Sequence, residues 1–167
     1  MNDDEVDFNV EIAIWSPFIG KYLLTFGNIE RVVHDVISDY LRDSLVPTTA
    51  LRSDFRRKLL LFQNILLSTN IDDEFGSRLG AFVASVTQLR ATRNLLAHNA
   101  LCLSFEDGKN EELKFIGFEI SSHENEQSIA LATLRNQLNE LEKCNTTLHE
   151  LVKPFYANEL DHIVKPN

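Results

Sequence analysis

The stretch that decides the fold is Asp73 to His98, DEFGSRLGAFVASVTQLRATRNLLAH, and above all the apolar residues inside it. Phe75, Leu79, Phe82, Val86 and Leu89 follow one another in alternating steps of four and three. Steps of that size return to one face of an α-helix and to neither face of a strand. The next two steps land on Arg93 and Leu96, so a guanidinium occupies a place where a leucine is expected. An arginine keeps its charge in a protein, so burying it there needs a carboxylate or an anion. Beside the stripe runs a polar row, Thr87, Arg90, Asn94 and His98, stacked at helical spacing.

Working outward, the spacing predicts an all-α chain, with four helices over about residues 17–42, 53–68, 73–98 and 130–153. Ser16-Pro17 reads as a serine cap and a first-turn proline opening the first helix. Its stripe is Ile19, Leu23, Phe26, Val33, Ile37 and Tyr40, with Glu30 between Phe26 and Val33. Two readings of Glu30 stand side by side. Either the stripe is shifted onto Ile29 and Val36 and Glu30 sits at the rim, or Glu30 pairs with Arg93 and supports it structurally.

Pro47 and Thr48-Thr49 mark a loop, and Ser53 is the expected cap of a second helix with stripe Phe55, Leu59, Phe62 and Leu66. Asn70 or Asp72 is the expected cap of the third. Past His98 the period changes to two: Leu101, Leu103 and Phe105 alternate with polar residues, and Asp107-Gly108-Lys109-Asn110 reads as a tight turn. A β-hairpin is therefore expected at about 100–120, inserted between helices three and four. Leu131, Leu134, Leu138, Leu141, Leu148, Val152 and Phe155 mark the last helix, interrupted on its stripe by Asn145 and ended or kinked by Pro154. The expectation is one domain over residues 1–167, an antiparallel four-helix bundle with a small hairpin.

The bulk numbers narrow the classes of function. With 167 residues, 44% of them hydrophobic, the chain can bury a core unaided. Cys102 and Cys144 lie far apart without ligand neighbours, giving neither a disulfide framework nor a zinc signature. No apolar run approaches the roughly 20 residues of a membrane span, and residues 1–7 are acidic, unlike a signal peptide. The expectation is a cytoplasmic protein with no membrane partner. The net charge is −9, but unevenly spread: residues 42–93 hold eight bases against five acids. A general nucleic-acid coat is excluded, whereas a local basic face on the central helices is not. The remaining histidines, His34, His123, His149 and His162, lack ligand spacing, and no metal or cofactor is expected.

Arg93-Asn94-Leu95-Leu96-Ala97-His98 resembles the R-x4-6-H motif of the HEPN superfamily, in which arginine, a polar residue and histidine end a long helix of a helical bundle. The resemblance implies a metal-independent endoribonuclease, often a toxin or phage-defence effector, with a composite site at a homodimer interface. On that basis His98 acts as general base or acid, Arg93 holds the scissile phosphate, and Asn94 orients the arginine or the substrate. Arg90 and Thr87, on the neighbouring row, would help bind RNA. Arg93 and His98 are five residues apart, roughly 140° around an ideal helix, which also favours a site drawn from two copies. One departure is plain: Asn99-Ala100 follows the histidine, without the tyrosine that some members offer to a modifying partner. The alternatives are a catalytically inactive helical dimer that binds a protein or nucleotide, and the antitoxin of a neighbouring toxin. A cognate antitoxin or other partner protein fits the leading reading as well.

Overall fold

The computed structural model describes residues 8–42, 51–69, 72–107, 113–122 and 127–164. Within them lie four helices, α1 (Phe8–Leu41), α2 (Phe55–Thr69), α3 (Asp73–His98) and α4 (Leu131–Val164). Between α3 and α4 come three strands, β1 (Leu101–Asp107), β2 (Leu113–Ser122) and β3 (Gln127–Ala130). The chain is thus mostly helical with one small antiparallel sheet. It divides into two compact units: unit 1 holds the chain up to Leu24 and Leu89–Glu140, and unit 2 holds Thr25–Gln88 and the chain from Leu141.

Helix α1 corrects the sequence reading. It begins at Phe8, and Pro17 lies inside it rather than at its first turn. A proline there removes one helical hydrogen bond and costs about 3 kcal/mol. Its neighbour Ser16 turns its Oγ back to the Ile12 carbonyl at 2.6 Å. What outweighs the local cost is burial across the proline: Trp15 before it and Tyr22 after it are both fully buried. Aromatic side chains of that size contribute about 2–3 kcal/mol each when buried. Glu11 in the first turn adds a carboxylate where the helix dipole favours one.

In unit 2, Phe26, Ile29, Val33, Val36 and Ile37 of α1 are all buried. The stripe therefore runs through Ile29 and Val36, Glu30 is half-buried at its edge, and Tyr40 is exposed. Helix α2 buries Leu59, Phe62, Ile65 and Leu66. Its cap is Asp54 rather than the expected Ser53, the carboxylate accepting from the Arg57 amide at 3.1 Å. Helix α3 is capped by Asp72, which accepts from the Glu74 amide at 3.3 Å. Asn70 lies outside the described residues, as do the Pro47 loop and most of the 107–110 turn. Phe62 and Phe82 pack with ring centres 6.2 Å apart, joining α2 to α3. The polar break in the α4 stripe is explained: Asn28 Nδ2 donates to Asn145 Oδ1 at 2.8 Å, and Arg31 donates to Asn28 Oδ1 at 2.9 Å. Pro154 does not end α4, which continues to Val164, with Val152 and Phe155 buried on either side of the proline.

In unit 1 the expected hairpin becomes a sheet of order β1-β2-β3. Leu101 faces Ile120, and Ile120 faces Ile129, forming a cross-strand row in which both isoleucines are buried. Leu103, one of the alternating apolar residues of β1, is exposed. The register shifts between Ser104 and Phe105, which pair with Gly117 and Phe115, so Ile116 is the extra residue of a bulge. Gly117 next to it holds φ at +149°, a backbone state that side-chain-bearing residues avoid.

Candidate functional site

The motif residues ride on the last turns of α3, and all of them from Leu89 onward belong to unit 1. Thr92, Leu95 and Leu96 are buried there, as Leu89 is, which fixes the rotation of the helix end. A further anchor comes from α1: the buried Tyr22 hydroxyl donates to the Leu89 carbonyl at 2.9 Å. In a helix that same carbonyl faces the amide of Arg93. Tyr22 thus pins the turn from which the guanidinium departs.

Arg93 is half-buried on the stripe, as its spacing requires, and its Nη1 donates to Asn94 Oδ1 at 3.2 Å. The two residues are therefore brought together. His98 is exposed and, among the described residues, its side chain takes part in no hydrogen bond or ion pair. A histidine at a helix terminus often serves as the cap, but here Asn99 does so. Its backbone amide and its Nδ2 both donate to the Leu95 carbonyl, at 3.1 and 2.9 Å. The imidazole is left for solvent or a ligand. Sequence reasoning did not foresee this cap; an asparagine directly after the last helical residue is the signal that could have found it.

Arg90 is half-buried and its side chain forms no hydrogen bond or ion pair among the described residues. Thr87 is exposed, and its hydroxyl donates to the Val83 carbonyl of its own helix at 2.7 Å. Glu30 is a half-buried residue of unit 2. Because α3 is unbroken from Asp73 to His98, Arg93 and His98 depart roughly 140° apart, and one copy of the helix does not converge them.

What the arrangement offers is a permanent planar cation oriented by an amide, and an accessible imidazole about 7.5 Å further along the same axis. Comparison of the chain with protein-family models, curated proteins and solved structures finds no match. A guanidinium fork suits phosphate oxygens, and an exposed imidazole can take or give a proton. Among the described residues, no three His, Cys, Asp or Glu side chains come together, and no helix is long and apolar enough to cross a membrane.

Sequence reasoning missed a second feature of unit 1. The buried Thr92 hydroxyl donates to Gln137 Oε1 on α4, beside a cleft of about 400 Å³ walled by α3, β3 and α4. Thr92 lies between the two residues of interest on either side, Arg90 and Arg93, but carries no motif of its own. Only the four-residue strand β3, invisible to periodicity, brings the third wall into place.

Proposed function

We propose that the chain is a metal-independent endoribonuclease of HEPN type, acting as a toxin or defence effector, with its helices in an antiparallel four-helix bundle. Its active site is composite: Arg93 and Asn94 come from one subunit of a homodimer and His98 from the other. The observation that carries this reading is a division of labour on one helix end. Arg93 is half-buried and held by Asn94, while the His98 ring is exposed and relieved of capping by Asn99.

His98 takes the proton of a ribose 2′-hydroxyl, whose oxygen attacks the adjacent phosphorus. The bond to the 5′-oxygen breaks and that oxygen takes a proton from water while His98 returns its own to solvent, leaving a 2′,3′-cyclic phosphate and a 5′-hydroxyl. Arg93 binds the non-bridging oxygens, where negative charge accumulates. Arg90, on the neighbouring row, helps to hold the backbone. The long-range repulsion expected from a net charge of −9 is met locally by these two cations.

The test is cleavage of end-labelled RNA with chelator present, comparing wild type with His98→Ala and Arg93→Ala. Cleavage by wild type, reduced at least about 100-fold in each variant, is the expected result. RNA left intact by wild type, or cut equally by all three proteins, overturns the reading.

A further inference from the structure

We propose that the cleft walled by the end of α3, strand β3 and the start of α4 is a nucleobase subsite. It selects the RNA base next to the bond that His98 attacks. This rests on the ribonuclease reading for its role, but not for its ligand chemistry.

The cleft holds about 400 Å³, within the range of small-molecule sites, and among the described residues no charged side chain lines it. An uncharged wall disfavours phosphate and suits a neutral heterocycle. One side is apolar, from Leu95 and Ile129, both buried, which offers a surface against which a planar ring can lie. The other side is made of amides and hydroxyls, with Thr92 and Gln137 as the fixed pair.

The bond between Thr92 and Gln137 sets the direction of the amide. Its Oε1 is occupied by the threonine hydroxyl, and among the described residues its Nε2 has no partner. The cleft therefore presents a donor that suits a carbonyl oxygen or ring nitrogen on a base edge. Strand β3 adds more. Among the described residues it pairs with β2 on one side only, so alternate backbone N–H and C=O groups on its other side point away from the sheet. Such groups read a base edge as well as amide side chains do.

The position follows from the helix. Ala91 and Leu95 line the cleft, and His98 lies seven and three residues further on. On an ideal helix seven residues return to within about 20° of the same face, about 10 Å along the axis. Leu95 is only about 4.5 Å from His98 along that axis. A base in the cleft thus has its ribose and phosphate running toward the imidazole row, whereas Arg93 departs from the far side of the helix.

The experiment uses the full chain and free nucleosides. Uridine, cytidine, adenosine and guanosine are each titrated against ¹⁵N-labelled protein, following the Gln137 side-chain amide in wild type and the Ser128 and Ile129 backbone amides in every variant. In parallel, cleavage ends are mapped on a random-sequence RNA. The double variant Thr92→Val/Gln137→Met removes both partners of the buried bond together, so neither is left orphaned. Ala91→Phe fills the cleft from its rim instead and leaves that bond intact.

At least one nucleoside is expected to shift the Gln137 amide saturably. Binding falls about tenfold in the double variant and is lost in Ala91→Phe. The base preference beside the cut flattens in both. Cleavage with an unchanged preference in both variants, and no saturable shift from any nucleoside, overturns the subsite while sparing the nuclease. Saturable binding at Gln137 without any RNA cleavage does the reverse. With neither binding nor cleavage, both are overturned.

Discussion

At the scale of single residues, the guanidinium of Arg93 is defined by geometry more than by charge. It leaves a turn whose carbonyl is held by Tyr22, and its fork is engaged by Asn94. A lysine supplies the same charge as a point on a flexible stem and cannot reproduce a bidentate grip. Arg93→Lys is therefore expected to recover less than about a tenth of the activity that Arg93→Ala loses, while Kd for RNA changes little. Comparing kcat with RNA affinity in the two variants checks this, and full rescue by lysine counts against a fork on the phosphate. Tyr22→Phe deletes one buried hydrogen bond and should cost about 1 kcal/mol, measured by urea unfolding. These residues were unequally legible. Arg93 announced itself because a charge on an apolar stripe breaks a period of 3.6. Tyr22 did not, since an aromatic on a stripe looks like core until its hydroxyl is seen to reach the Leu89 carbonyl.

At the scale of elements, local signals were reliable where no distant burial opposed them. Helix α3 ran from Asp73 to His98 as its spacing required, because cap, stripe and closing asparagine all agree. Helices α1 and α4 overran their prolines because burial of Trp15 and Tyr22 on one, and of Val152 and Phe155 on the other, spans them. That is a tertiary effect with no local trace. Strand β3 escaped for a related reason, four residues with one buried side chain being too short to show a period. A prediction follows from α1. Pro17 is exposed and contributes little packing, so Pro17→Ala restores a donor and a helix former at no evident loss. It should raise unfolding free energy, by up to about 3 kcal/mol. A fall in stability would mean that the proline is held in place by contacts that its exposure does not suggest. At the other end of the scale, Gly117→Ala forces a side chain onto φ +149° at the bulge. It should cost about 1 kcal/mol or more, read as a lowered Tm.

At the scale of the whole molecule, the proposed site makes a demand that no single subunit meets. Arg93 and His98 leave one unbroken helix in directions roughly 140° apart. If each active site takes Arg93 from one subunit and His98 from the other, the two inactive variants complement one another. Mixing Arg93→Ala with His98→Ala in equal amounts and allowing exchange makes about half the dimers mixed. Each mixed dimer has one site with both groups intact and one with neither, so about a quarter of wild-type activity should return. A double variant mixed with wild type gives a different result, because there no mixed dimer carries an intact pair across the interface. Activity would then fall below the amount set by the wild-type share. Recovery in the first mixture together with loss in the second requires catalysis across the subunits. Silence in the first, with simple dilution in the second, places both groups in the same subunit and removes the reason for a dimer.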